Sequence, residues 1–420
     1  MTSKHWIRRS LVVAALAAAA VGVIPPSLQS ASAAPATEMA AGGEYHPLPP
    51  ERIFDTRNGG INDTVPLGKK PTSKAGSEFK VQITGKGGVP EAATDVLAVV
   101  LNVTVANPEA QGNLAVRPSG AEAGTSSLVN FLPGRNVPNL TIVGVGADGT
   151  ITVKLATRVT SRADVVIDVF GWISTSAVAE RGARLIPAGP GRIVDTRKGA
   201  GTPLRGGESL AVQIRGADAS DPAVTDIVPN SADVSAVMIN ITAINRQAGS
   251  RSTNIAATPV ELPDGQSATT SNTNVISGLV KANMAIVPVG PDGKIYLRNH
   301  SGDIHLAIDV LGYFEVVADE SMAGRIIPLE APFRAFDTRE PEFGNAPLGT
   351  FTEENWSFKK FAASVTLPSS GGTTTLDEQA ALIGNLTGTE LTRLYPAVPV
   401  TTFLSVYPGD KHRPTVSNLN

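Results

Sequence analysis

One six-residue phrase occurs three times along this chain. Arg52-Ile53-Phe54-Asp55-Thr56-Arg57 returns as Arg192-Ile193-Val194-Asp195-Thr196-Arg197 and again as Arg334-Ala335-Phe336-Asp337-Thr338-Arg339. The aspartates lie 140 and 142 residues apart (195 − 55 and 337 − 195). A period this long is a whole domain, not a solenoid unit. The chain therefore has to fold as head-to-tail copies of one domain, an organisation that suits binding, spacing or anchoring better than catalysis.

Further phrases recur in the same order. Leu101-Asn102-Val103-Thr104 matches Ile239-Asn240-Ile241-Thr242, with a weaker version at Gly384-Asn385-Leu386-Thr387. Ser127-Leu128-Val129-Asn130 matches Ser271-Asn272-Thr273-Asn274 and Ser417-Asn418-Leu419-Asn420. Gly146-Ala147-Asp148-Gly149 matches Gly290-Pro291-Asp292-Gly293, and Asp168-Val169-Phe170-Gly171-Trp172 matches Asp309-Val310-Leu311-Gly312-Tyr313. These landmarks predict copies over 46–173, 184–317 and 324–420, after a flexible lead-in at 34–45. The third copy ends at the Ser-Asn-Leu-Asn landmark, so the expectation is a truncated product or a fragment of a longer array. The alternative is donation of the missing strands by another chain.

Alternation with period two dominates between the landmarks. Val99, Leu101, Val103 and Val105 fall on one face of a strand, with Val100, Asn102 and Thr104 on the other. The Asp-Gly pairs at 148–149 and 292–293 predict hairpins, because glycine supplies the positive φ of a tight turn. The stretch Thr375 to Ile383 reads as the one short helix. Glycine (41) and proline (31) punctuate the chain, and only 17% of residues are charged. The fold class that follows is all-β: tandem β-sandwich, jelly-roll-like domains, the third incomplete. From Gly171 to Arg184 and from Gly312 to Arg325 is 13 residues each time. A floppy tether needs no constant length, so a packed joint and a rod-like array are expected.

Lys4, Arg8 and Arg9, the apolar run from Leu11 to Ile24 and the small residues Ala31-Ser32-Ala33 read as a cleaved secretory signal over 1–33. The apolar run falls short of the roughly 20 residues a membrane span needs, and no second long one follows. Taking those three cations from 35 Lys+Arg against 38 Asp+Glu leaves 32 − 38 = −6, which argues against nucleic-acid and anionic-membrane partners. With no cysteine, the domains must be held by their cores rather than by disulfides.

The recurrent charged phrase is the leading candidate site: Arg52, Asp55 and Arg57, with Arg192, Asp195, Arg197 and Arg334, Asp337, Arg339. In a regular strand Asp55 and Arg57 share a face, opposite Arg52. A clamp that braces the strand end outweighs a carboxylate- or sugar-binding site. Asn102, Asn240, Asn130 and Asn274 read as structural hydrogen-bonding residues, and the Asn-x-Thr triplets read as such before glycan acceptors. Asp168 and Asp309 sit in apolar strands and need partners, for which Arg52 and Arg192 are at hand. Trp172 and Tyr313 are placed at domain ends, as plugs for the joint. No catalytic residue and no metal site is assigned. Calcium is a weak alternative with no Asp-x-Asp-x-Asp-Gly loop to support it.

As an ordered set, these phrases resemble a repeat module of secreted actinobacterial proteins, found alone or C-terminal to extracellular enzymes. The resemblance implies a secreted, noncatalytic accessory or surface role. The chain itself is read as an extracellular, cell-wall-associated interaction protein with cell-wall polysaccharide or a surface protein as partner, and no cofactor. The alternative is a secreted, carbohydrate-active hydrolase, or an accessory fragment of one.

Overall fold

The computed structural model describes residues 41–57, 68–72, 76–124, 126–222, 224–246, 249–319, 321–329, 332, 334–341, 366–369, 372–375, 381–388, 404–406 and 418. The expected signal segment lies outside them. Among the described residues no helix is long and apolar enough to cross a membrane.

The structure is all-β and built of sandwiches. In the first copy the strands are β1 (Tyr45–Asp55), β2 (Lys70–Thr72), β3 (Ser77–Gln82), β4 (Val96–Ala106), β5 (Gly112–Pro118), β6 (Val129–Phe131), β7 (Val137–Gly144), β8 (Thr150–Thr157) and β9 (Ser161–Ser174). They form an inner sheet in the order β1-β9-β4-β7 and an outer sheet in the order β3-β8-β5-β6, all antiparallel. Strands that pass between two sheets in this order make a jelly roll. The second copy repeats it with β10 (Ala183–Asp195), β11 (Ser209–Gln213), β12 (Val234–Ile244), β13 (Thr253–Thr258), β14 (Thr273–Val275), β15 (Val280–Pro288), β16 (Lys294–Asn299) and β17 (His305–Val316). Its inner sheet runs β10-β17-β12-β15 and its outer sheet β11-β16-β13-β14.

Each sandwich has its own core, drawn from the alternating residues the sequence points to. Val99, Leu101, Val103 and Val105 enter the first, and Val237, Ile239, Ile241 and Ala243 the second. The opposite faces of the inner sheets make a third core, between the copies. There Tyr45, Leu97, Ala98, Val100, Phe170 and Ile173 meet Ala236, Met238, Ile286 and Phe314. Strand β4 is consequently buried along its whole length. The Tyr45 ring lies 4.6 Å from that of Phe314, and its hydroxyl donates to the Phe170 carbonyl at 2.8 Å. Any side chain at Gly171 would collide with the Tyr45 ring, which accounts for the glycine in that phrase.

The strand entries close on one another. Aligned on the tetrapeptides that end in Pro47, Pro187 and Pro328, the residues Gly43, Ala183 and Gly324 share one position. Glu44, Arg184 and Arg325 share the next, and Tyr45, Leu185 and Ile326 the third. Tyr45 pairs with Ala183, Leu185 N–H donates to the Gly324 carbonyl at 2.8 Å, and Ile326 and Gly43 exchange two bonds of 2.9 Å. Copy one is joined to two, two to three, and three to one, the connectivity of a closed threefold ring. Where the ring closes, the Glu44 carboxylate accepts from Arg184 Nε and from Gly182 N–H, both at 3.0 Å. Arg325 stands 3.6 Å from the same carboxylate. The Arg184 side chain, only 2% exposed, also binds Asp319 at 2.6 Å.

Several expectations change. The copies pack side by side around this closure, not end to end as a rod. Residues 43–45, assigned to the flexible lead-in, are buried because they carry the ring bonds. Gly149 and Gly293 have the expected positive φ (73° and 77°), but the flanking strands belong to opposite sheets, so each Asp-Gly turn is a corner between layers. Trp172 packs into the first sandwich core, stacked 4.2 Å from His46, and Tyr313 packs against the second. Their neighbours Ile173 and Phe314 fill the joint. In the expected helix, Thr375 instead ends a strand (Gly372–Thr375) paired with Thr366–Ser369, residues 381–383 are not helical, and 376–380 lie outside the described residues.

Glu44→Ala leaves the buried Arg184 guanidinium with one carboxylate fewer, and is expected to cost about 3 kcal/mol in urea unfolding. Lys80→Ala, which breaks the exposed Lys80–Asp148 pair, should cost under about 1 kcal/mol. Equal losses would show that the ring closure contributes nothing special.

Candidate functional site

The recurrent polar residues gather in one band across each inner sheet. Arg52 on β1, Asp168 on β9 and Asn102 on β4 are direct cross-strand neighbours, as are Arg192, Asp309 and Asn240. Arg52 grips Asp168 with Nε and Nη2, at 2.8 and 3.4 Å. Arg192 grips Asp309 at 2.7 and 3.1 Å. Both carboxylates are fully buried. Burial pushes the Asp168 carboxyl up, the arginine and the Ser271 N–H pull it back, and the net shift is upward. Asp309 behaves alike, with Arg192 opposing its burial.

Regular alternation would put Asp55 on the face opposite Arg52. A β-bulge between Arg52 and Phe54 re-aims it, and the same shift occurs between Arg192 and Val194. Asp55 thereby reaches Arg52 Nη1 at 3.3 Å, while Ile53 turns into the core. Arg57 then closes on Asp55 with its backbone N–H, Nε and Nη2 at 2.9, 2.9 and 2.7 Å. Arg197 repeats this on Asp195 at 3.1, 2.8 and 2.7 Å, and Arg339 on Asp337 at 3.1, 2.8 and 2.6 Å. Arg334 adds a bond of 2.9 Å to Asp337. Burial raises the Asp55 carboxyl, but the hydrogen bonds and charge of Arg57, with the charge of Arg52, outweigh it and hold it below the usual range. The Arg197 hydrogen bond does the same for Asp195 against a smaller effect of burial, and the Arg339 hydrogen bond lowers Asp337 strongly.

The asparagines read each neighbouring copy. Asn102 Nδ2 donates to the Ser271 carbonyl at 2.5 Å, and Asn283 Nδ2 donates to Asn102 Oδ1 at 3.3 Å. In the same geometry Asn385 Nδ2 donates to the Ser127 carbonyl at 2.9 Å, and Asn139 Nδ2 to Asn385 Oδ1 at 2.9 Å. Copy one thus docks on two as three docks on one. Asn102 and Asn240 are buried, so neither presents a glycan acceptor. Asn130 and Asn274 lie apart from the band: Asn130 accepts from Ser127 Oγ at 3.2 Å, and Asn274 sits opposite Asn254 on β13. Among the described residues no group of three His, Cys, Asp or Glu is placed to hold a metal, so nothing there adds to the calcium alternative.

Glu44, Arg184 and Arg325 escape a search for recurrent residues because the first copy carries the opposite sign. The linker tetrapeptides held the signal, since each begins with a charge at the same offset before proline.

No family model and no curated protein matches the sequence. Among solved structures, the chain is similar to the N-terminal CBM22-1-CBM22-2 tandem domain from Paenibacillus barcinonensis Xyn10C, at 11% identity over 67% of this chain and 96% of that one, with a TM-score of 0.17. It is also similar to the ANXUR1 extracellular domain from Arabidopsis thaliana, at 10% identity over 67% and 92%, with a TM-score of 0.19. Superpositions this poor inform neither fold nor function.

Two outcomes follow from this geometry. Asn102→Ala removes the donor to the Ser271 carbonyl and one of the two acceptors of the Asn283 amide at a buried joint, and should cost about 1–3 kcal/mol in chemical unfolding. A carboxyl held below its unfolded value stabilises the fold above that value and ceases to as pH falls. The melting temperature of Asp55→Asn should therefore fall furthest below wild type near pH 7, with the gap narrowing below about pH 4. A gap that widens on acidification would assign Asp55 the wrong sign.

Proposed function

We propose that this chain is a secreted, noncatalytic interaction protein of the cell envelope or matrix, binding surface polysaccharide or protein through the outer sheets of its repeated β-modules. The observation that carries this reading is the division of labour between recurrent and divergent residues. The recurrent charges and asparagines are spent on bracing each module and docking it on the next. The outer sheets contribute nothing to the joint core and carry side chains that differ between copies, such as Glu78, Lys80 and Arg117 in the first against Ser209, Ala211 and Thr258 in the second. A rigid frame with varied outward faces suits recognition. The aspartates of the repeated phrase, gripped by arginine and held below the usual carboxylate range, are poor proton donors at neutral pH. The resemblance to secreted actinobacterial repeat modules and the N-terminal signal pattern support the extracellular setting.

Incubating the mature chain with purified cell walls and common insoluble polysaccharides should give saturable retention without release of soluble product. Absence of retention on every surface, or turnover that one point mutation abolishes, would overturn the reading.

A further inference from the structure

The outer sheet of the second module contains an arginine that no described residue neutralises. Arg298 lies on β16, is 5% exposed, and stands in register with Ser209 on β11. Its Nη1 donates to Ser209 Oγ at 3.2 Å. Among the described residues no carboxylate pairs with it, and its Nε and Nη2 have no hydrogen-bond partner. The first module shows what normally fills this place. There Lys154 on β8 stands in register with Glu78 on β3. The Glu78 carboxylate takes two bonds from Arg117 at 3.1 and 2.7 Å and lies 4.0 Å from Lys154 Nζ. The second module has kept the cation and replaced the acid with serine.

A shallow cavity of about 100 Å³ opens at Arg298. Its wall includes Gly207, Asn254, Gln266, Ser267 and His300. A water molecule claims about 30 Å³ of liquid, so the space admits a carboxylate with the carbon that bears it. The Nε–Nη2 edge of this guanidinium is free of protein partners among the described residues and matches the two oxygens of a carboxylate. The neutral amides and hydroxyl around it match sugar hydroxyls.

We propose that the Arg298 cavity binds the carboxylate of an acidic saccharide unit, a hexuronate. Arg298 takes the carboxylate oxygens, and Asn254, Gln266, Ser267 and His300 bond the ring hydroxyls. This rests on the polysaccharide-binding reading above and assigns it a subsite in the second copy.

The test is calorimetric titration of the mature chain with glucuronate and galacturonate, against glucose, acetate and a Glu-Glu dipeptide. Saturable binding of a uronate alone is expected. Ser209→Glu restores to the second module the acid that the first carries as Glu78. It should weaken uronate binding at least about tenfold without lowering the melting temperature, and Arg298→Gln should weaken it similarly. Wild-type protein that ignores uronates, or Ser209→Glu protein that binds them undiminished, would overturn the proposal. Equal binding of acetate or of the dipeptide would overturn the saccharide assignment. Retention on neutral polysaccharide without uronate binding removes this subsite alone. Uronate binding without retention on any polymer removes the broader reading and leaves the subsite standing.

Discussion

Two-sided burial of the inner sheets is the constraint from which the rest of the architecture follows. A sandwich usually hides one face of each sheet and wets the other. Here β4 hides both, and β12 nearly so. Val99 and Leu101 serve one core while Ala98 and Val100 serve another. A module alone would present Leu97, Val100, Phe170 and Ile173 to water, and apolar surface costs roughly 25 cal/mol per Å² when left exposed. The copies cannot be beads on a string. Each is completed by the next, and the constant spacing between Gly171 and Arg184 and between Gly312 and Arg325 is what completion demands of the connecting chain.

The polar phrases are the price of that arrangement. An inner sheet closed to water on both sides has to satisfy any polar atom it keeps, and the band of Arg52, Asp168 and Asn102 does so within the protein. The bulge at Ile53 matters more than its size suggests, because without it Asp55 would point into the sandwich core. Repetition across copies therefore records the demands of docking. Divergence on the outer sheets, as between Glu78 and Ser209, is where recognition has room to change.

Much of this was legible before any coordinates. Strict alternation identified which of Val99 to Val105 enter the sandwich core, and the aspartates in apolar strands demanded the arginines they receive. What escaped shares one cause: a linear pattern does not say what lies beyond a strand's second face. Asn102 read as a hydrogen-bonding residue within its own sheet, and its partners lie in the next copy. Asp148-Gly149 has the backbone of a hairpin turn, yet a corner between sheets needs the same positive φ. Trp172 and Ile173 are adjacent, and only the bulged register of β9 against β4 decides which one reaches the joint. Arg298 was passed over because recurrence was the guide, and its interest lies in the partner that fails to recur.

The closure of Glu44 upon Arg184 and Arg325 has one more consequence. Three separate, identical subunits would bring three like charges to that point and repel. Covalent fusion allows one slot to hold an acid and the other two a base, so the first copy is distinguishable by its sign. Replacing the first copy with a duplicate of the second would put three cations at that point. The seniority of the first copy is thus written into the assembly as an electrostatic keying that no homotrimer could carry.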